Sequence, residues 1–96
     1  MIRQISVFVE NQPGSMMRVT SVLTEAHVNI RAISTFDTPE FSIMRLVVDE
    51  PEQAKESLTE KGFVTRISDV IGVELKDEKG NLNQMLKILA DGQINV

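Results

Sequence analysis

The fold is decided by residues 5–30, ISVFVENQPGSMMRVTSVLTEAHVNI, which align without a gap with residues 71–96, IGVELKDEKGNLNQMLKILADGQINV. The identical pairs are Ile5 and Ile71, Val7 and Val73, Gly14 and Gly80, Leu23 and Leu89, and Asn29 and Asn95. The offset between the two segments is too long for a solenoid repeat and suits a small domain. The alignment predicts one complete unit at residues 1–69, followed at residues 70–96 by the N-terminal part of a second unit.

The composition limits the classes of protein to consider. A chain of 96 residues with 42% hydrophobic residues has enough apolar material for one small core. It has no cysteine, no signal-peptide pattern and no run of roughly 20 apolar residues, so we expect a cytoplasmic protein without a membrane span. The net charge of −4 and the absence of Trp and Tyr argue against nucleic-acid binding, which needs basic faces and stacking platforms.

The first part of the chain predicts a strand followed by a helix. Residues 2–10 alternate between apolar and polar side chains, as a half-buried strand does. The stretch from Gln12 to Ser15 breaks this pattern, and apolar residues then recur every three or four positions from Met16 to Ala26. We expect Pro13 to occupy the first helical turn, where its missing N–H costs nothing.

The next part predicts two strands, a helix and a strand. The strands are expected at Val28–Phe36 and Phe41–Val48, with a hairpin-sized turn between them. Asp49-Glu50-Pro51 opens a second helix that stops at Gly62, and Phe63–Ile67 is the fourth strand. The fold class is therefore α+β: a ferredoxin-like βαββαβ plait, with a four-stranded antiparallel sheet and two helices on one face.

The repeat predicts a β-α-β stub after this plait. It consists of a strand at Ile71–Leu75, a helix at Asn81–Ala90 and the beginning of a strand at Gln93–Val96. Half a unit cannot bury its own core, so the stub should pack on the first unit or be completed by another chain.

One face of the predicted sheet carries no helices. Alternation sends Ile5, Val7 and Val9 toward the helices and Phe8 to the bare face, where Ile33 is expected to join it. We expect another subunit to cover this face, giving a homo-oligomer, a dimer formed through the sheet face or a sheet edge. Single tolerated surface hydrophobic residues are the alternative explanation.

The most specific motif is Asn11-Gln12-Pro13-Gly14, with Asn29-Ile30 following the intervening helix. With this motif the chain resembles the ACT domain, a regulatory ligand-binding module of amino-acid metabolism. The resemblance lies in a strand that ends at Asn-x-Pro-Gly, an apolar helix and a next strand that begins Val-Asn-Ile. The resemblance covers residues 2–69 and returns in residues 71–96. It implies the same plait and a non-catalytic module that binds a small amino acid.

The chemistry of this segment suits an amino acid. The first N–H groups of a helix carry partial positive charge, and Gly14 lets a ligand approach the backbone. Asn11 and Asn29 offer both donors and acceptors. The candidate ligand-binding residues are Asn11, Gln12, Pro13, Gly14, Ser15, Asn29 and Ile30, with His27 as a possible pocket rim. Turn formation and capping alone would also explain the two asparagines and the glycine.

The family resemblance carries the site over residue by residue. Serine-binding ACT domains use an Asn at each of the positions that Asn11 and Asn29 match, and a His at the position that Val9 occupies here. The resemblance therefore implies a small amino acid rather than serine in particular, held between two units in a way that couples binding to pairing. In the second unit the equivalent positions are Asp77, Gly80 and Asn95.

Catalysis is the rival class. An acylphosphatase-type enzyme of similar fold needs a phosphate loop with a positioned Arg, and no glycine-rich loop is present. The chain also has no evident pair of nucleophile and base, and its one histidine has no metal-ligand partners at suitable spacing. We expect no enzyme activity, no cofactor and no metal. A pure dimerisation or assembly module without a ligand is the remaining alternative.

Overall fold

The computed structural model describes residues 1–96. Its elements are β1 (Ile2–Glu10), α1 (Ser15–Glu25), β2 (Ile30–Asp37), β3 (Phe41–Val48), α2 (Pro51–Glu60), β4 (Val64–Val70) and α3 (Asn81–Asp91). The strands form one sheet in the order β2-β3-β1-β4, and all neighbours are antiparallel. This arrangement confirms the predicted α+β plait.

The core lies between the sheet and the helices α1 and α2. Ile5 and Val7 of β1 are fully buried, as the alternation predicted, and they pair with Leu46 and Met44 of β3. The helices add four fully buried side chains, which are Val19, Leu23, Ala54 and Leu58. Each large apolar side chain buried in this way contributes about 1.5–3 kcal/mol to folding. The core thus fixes the sheet and the start of α1 relative to each other.

The other sheet face carries an exposed apolar row that crosses all four strands. Its members, neighbours in the strand registers, are Phe36, Ile43, Phe8 and Val64. The expectation that Ile33 joins this row is wrong. Ile33 pairs with Leu46, a buried core residue, so its side chain lies on the helix side of the sheet.

The helix ends follow the expected rules with one exception. Pro51 is the first residue of α2, and Gly62 adopts a left-handed backbone (φ +89°) just after the C-cap. The expectation that Pro13 lies in the first turn of α1 is wrong. The helix begins at Ser15 and its N-cap is Gly14, so Pro13 belongs to the preceding turn.

Residues 71–96 contain a helix but no strands. The helix α3 spans the expected residues, with one more at its end. The expected strands at Ile71–Leu75 and Gln93–Val96 do not form, because no other strand pairs with either segment. None of the α3 residues is buried or belongs to the core cluster. Of the two outcomes expected for this segment, packing on the core of the first unit is therefore not observed, and completion by another chain stays a prediction.

Candidate functional site

A cleft of about 210 Å³ lies beside the turn that joins β1 to α1. Its lining residues are Val9, Glu10, Asn11, Gln12, Ser15, Met16, Thr35, Asp37, Ser42 and Met44. They come from the end of β1, the start of α1, the end of β2 and the start of β3. The cleft forms here because β1 and β2 both end, and β3 begins, at the same end of the sheet.

Asn11 ties the β1–α1 turn to the turn between β2 and β3. Its side-chain Nδ2 donates to the carbonyl oxygen of Thr38 at 2.7 Å, and its backbone N–H donates to that of Glu40 at 3.1 Å. One amide donor is therefore already engaged. The Oδ1 atom, which accepts no hydrogen bond from the protein, is the acceptor that Asn11 can offer to a ligand.

The N-terminus of α1 supplies backbone donors to the cleft. The Ser15 N–H donates to the Gln12 carbonyl oxygen at 3.2 Å, and the Arg18 N–H donates to that of Gly14 at 3.0 Å. The N–H groups of Met16 and Met17 have no backbone partner. No side chain caps this helix end and its first turn has no acidic residue, so its N–H groups remain available to a ligand carboxylate.

Gly14 shapes this helix end through its backbone. Its φ of +84° lies in the left-handed region, which side chains other than glycine rarely adopt. A Cβ added at Gly14 would meet no atom within 4 Å. The requirement for glycine is therefore conformational and does not arise from crowding within the chain.

The sheet side of the cleft carries carboxylates. Glu10 and Asp37 both line it, and Asp37 Oδ1 accepts a hydrogen bond from the Ser42 hydroxyl at 2.6 Å. A helix N-terminus and carboxylates therefore line the same cleft, which complements the carboxylate and ammonium groups of a free amino acid. The sequence did not single out Thr35, Asp37 or Ser42. The predicted hairpin was the sequence feature that could have pointed to these three residues, because the turn between β2 and β3 must lie at the end of the sheet where β1 ends.

Asn29, Ile30 and His27 lie at the opposite end of the sheet. Since β2 has eight residues, a rise of about 3.3 Å per residue puts Asn29 roughly 25 Å from this cleft. The backbone of Asn29 makes two hydrogen bonds with Asp49: its N–H donates to the Asp49 carboxylate at 2.9 Å, and its carbonyl oxygen accepts from the Asp49 N–H. The side-chain amide of Asn29 makes no hydrogen bond. The two asparagines named by the sequence are therefore not brought together within one chain.

Residues 76–94 reproduce the turns and the helix of residues 10–28. The N-cap Gly80 has φ +87°, and Gln93 has φ +60°, close to the +59° of its counterpart His27. The N–H of Ile94 donates to the Leu89 carbonyl oxygen at 2.8 Å, as that of Val28 does to Leu23 at 2.9 Å. Asp77 lies in the turn with Gly80, and Asn95 lies past the other end of α3.

The chain has neither a cluster of metal-ligating side chains nor a membrane-spanning helix. No group of three or more His, Cys, Asp or Glu side chains is arranged to hold a metal ion. None of the three helices has both the length and the apolar character needed to cross a membrane.

Solved structures identify the class of domain. The regulatory subunit of aspartate kinase from Thermus thermophilus, solved ligand-free, matches with a TM-score of 0.74 and 21% identity over 99% of this chain and 72% of that chain. The ACT domain of prephenate dehydrogenase from Bacillus anthracis matches with a TM-score of 0.59 and 22% identity over 66% of this chain and 99% of that chain. The fold is thus that of ACT domains.

The family follows from the sequence. A family model described as an ACT domain pair matches residues 1–96, and the chain belongs to this family. ACT domains are regulatory modules rather than catalytic ones, and they bind amino acids in aspartate kinase and related enzymes. No curated protein matches the chain significantly.

A longer protein of known structure is also similar. A protein from Bacteroides thetaiotaomicron matches with a TM-score of 0.91 and 31% identity over 95% of this chain. The match covers 63% of that protein, so the chain spans less than two thirds of its length.

Proposed function

We propose that this chain is a non-catalytic regulatory module that binds a small amino acid beside the β1–α1 turn and couples this binding to the pairing of ACT units. The observation that carries the proposal is a cleft lined both by Met16, whose N–H has no backbone partner, and by the carboxylate residues Glu10 and Asp37. The ligand carboxylate would accept a hydrogen bond from the N–H of Met16, and its ammonium group would face Asp37 and the Oδ1 of Asn11.

Pairing enters because one chain does not assemble all the proposed binding residues. Asn11, Gln12 and Ser15 line one cleft, whereas Asn29 and Ile30 lie at the far end of β2. The two groups can contribute to one ligand only if a second unit brings its Asn29 to the first unit's Asn11. Ligand binding would then stabilise the paired state in proportion to its differential affinity for that state.

The surfaces available for pairing are an edge and a face of the sheet. The strand β2 is an edge strand of eight residues with one side unpaired. The bare face exposes Phe8 and Phe36, with 40% and 55% of their surface accessible. We propose a homo-oligomer, a dimer in the simplest case, formed through one of these surfaces in the cytoplasm.

The second unit is proposed to begin at residue 70. On this proposal residues 1–69 form the first ACT unit, and Asp77, Gly80 and Asn95 occupy the positions of Asn11, Gly14 and Asn29 in the second. A carboxylate at position 77 and the nearby Lys79 change the charge of the turn, so this unit would bind the same ligand weakly or not at all.

Assembly without a ligand is the second candidate, and the apolar row on the bare face favours it. Calorimetric titration of the chain with each of the twenty amino acids separates the two. Binding of one small amino acid that is lost in Asn11→Ala supports the sensor. No heat with any of them, for a chain with a cooperative unfolding transition, supports the assembly module.

A further inference from the structure

The bare sheet face carries a row of unpaired arginines beside its apolar row. In the strand registers, the row next to the apolar row consists of Ser34, Arg45, Ser6 and Arg66. Arg45 and Arg66 are exposed, and neither forms a salt bridge or a side-chain hydrogen bond within the chain. The face therefore presents apolar side chains next to guanidinium groups that have no partner.

The positive charge of this face is not balanced in its central rows. The row that follows the arginines in register consists of Ala32, Val47, Gln4 and Ser68, so three successive rows contain no Asp or Glu. The chain as a whole has a net charge of −4. The sign of the charge is thus reversed on this face, which favours a partner that is both apolar and acidic.

The residue types on this face are those that protein interfaces select. Three of the four phenylalanines lie on it, and each is at least 40% exposed: Phe8, Phe36 and Phe41. Aromatic residues and arginine are enriched at protein–protein interfaces, and they supply many of the residues that dominate binding. The face therefore has the composition of an interaction surface.

The covered face shows which kind of element fills a face of this sheet. There α1 and α2 lie on the strands with apolar residues inward, among them Leu23 and Leu58. Arg3 of β1 alternates to the same face as Ile5 and forms an ion pair with Glu52 of α2. On that face an amphipathic helix thus supplies both the apolar contact and the carboxylate for a strand arginine.

We propose that the bare face binds an amphipathic helix of a partner protein, with an apolar stripe and Asp or Glu residues beside it. The stripe covers Phe8, Phe36 and Val64, and the carboxylates pair with Arg45 and Arg66. This interaction goes beyond the proposed amino-acid binding and does not depend on it, because the cleft is lined by the first turn of α1 on the other side of the sheet.

A second copy of the chain fits this face less well. Two copies packed face to face would bring four guanidinium groups into one interface, two from each copy, and the three central rows supply no carboxylate for them. Removing charged groups from water without a partner is strongly unfavourable. Pairing of ACT units is then left to the edge strand β2.

Two synthetic helical peptides that differ only in charge test the proposal. Both carry one stripe of leucines and a fluorescein label, and the residues beside the stripe are glutamates in one and lysines in the other. We expect fluorescence anisotropy to show about tenfold tighter binding of the glutamate peptide, and added salt to weaken it. Non-specific attraction to a chain of net charge −4 would favour the lysine peptide, so the sign of the preference is diagnostic.

Variants with reversed charge locate the binding to the bare face. Arg45→Glu/Arg66→Glu should prefer the lysine peptide, a gain of binding that an unfolded chain would not show. Lys55→Glu/Lys61→Glu makes the same change in net charge at exposed positions of α2 and its C-cap, and should keep the wild-type preference. Phe36→Ser should weaken binding of the glutamate peptide about tenfold while unfolding stays cooperative.

Three results would overturn the proposal. The first is a glutamate peptide that does not bind, or that binds no more tightly than the lysine peptide. The second is a preference for glutamates that persists in Arg45→Glu/Arg66→Glu. The third is a homodimer, measured by sedimentation, that Phe36→Ser and Val64→Ser both dissociate and the glutamate peptide does not, which would assign the face to a second copy of the chain.

Discussion

The side chain of Asn11 donates a hydrogen bond to the backbone carbonyl oxygen of Thr38 at 2.7 Å, which joins the β1–α1 turn to the β2–β3 turn. The two turns are far apart in the chain, and residues at or beside both of them line the cleft. Asn11 therefore has a structural role whether or not a ligand binds. An exposed hydrogen bond of this kind contributes about 1 kcal/mol, so its loss would loosen the cleft without unfolding the domain.

The equivalent leucines of the two helices should respond very differently to truncation. Leu23→Ala removes a fully buried side chain, and we expect the free energy of unfolding to fall by about 3 kcal/mol. Leu89→Ala should leave the unfolding of residues 1–70 unchanged, since α3 adds nothing to that core. Urea titration followed by circular dichroism measures both variants. Equal losses would show that α3 is part of the same cooperative core.

Gly14 and Gly62 allow strain to be separated from ligand binding. Both have left-handed backbones with no neighbour to clash with a new Cβ, so Gly14→Ala and Gly62→Ala should each destabilise the chain by about 1 kcal/mol. Only Gly14 lies at the helix end beside the cleft. We expect weaker amino-acid binding in calorimetry for Gly14→Ala and unchanged binding for Gly62→Ala. Equal affinities would remove the α1 N-terminus from the site.

Asn29 should affect binding without affecting stability. Its side-chain amide makes no hydrogen bond within the chain, because its contacts with Asp49 use the backbone N–H and carbonyl oxygen. Asn29→Ala should therefore keep the wild-type free energy of unfolding and lose affinity for the amino acid. A variant that binds as tightly as the wild type would place the whole site within one unit.

The element order was predictable because the periodicity and the turn residues agree along residues 1–70. Pro51 and Gly62 mark the ends of α2 as their chemistry requires. Pro13 suggested the wrong helix start, since the left-handed Gly14 is the N-cap and the helix begins at Ser15, two residues after the proline. Ile33 was assigned to the wrong face because the start of β2 carries a register irregularity between Ile30 and Ala32.

The site was predictable in part. The Asn11–Ser15 turn stands out in the sequence, and the structure places it beside a cleft. Asn29 was grouped with it through family spacing, yet α1 carries the chain back along the sheet before β2 begins, so the two asparagines lie at opposite ends. Asp37 and Ser42 were missed because they lie far from Asn11 in the chain. The predicted hairpin puts them at the end of the sheet where β1 ends, and the strand order brings them to the cleft.

The strands predicted on either side of α3 show a second feature that local sequence could not predict, which is strand pairing. The alternation of Ile71, Val73 and Leu75 gives the same strand pattern as Ile5, Val7 and Val9. A strand also needs a neighbour to supply hydrogen bonds, and the single chain offers none for this segment. The prediction of a strand at Ile71–Leu75 from local sequence is therefore wrong for residues 1–96 as the structure describes them.

Mixing two variants that do not bind the ligand tests the central claim, which is that two units together form one amino-acid site. Asn11→Ala and Asn29→Ala are each expected to lose binding when measured alone by calorimetry with the amino acid that the wild type binds. When the two variants are unfolded together and refolded, each mixed pair contains one intact site, with Asn11 from one chain and Asn29 from the other. The account predicts that the mixture recovers wild-type affinity at a reduced number of sites. A mixture that stays inactive although the two variants pair with each other would contradict it.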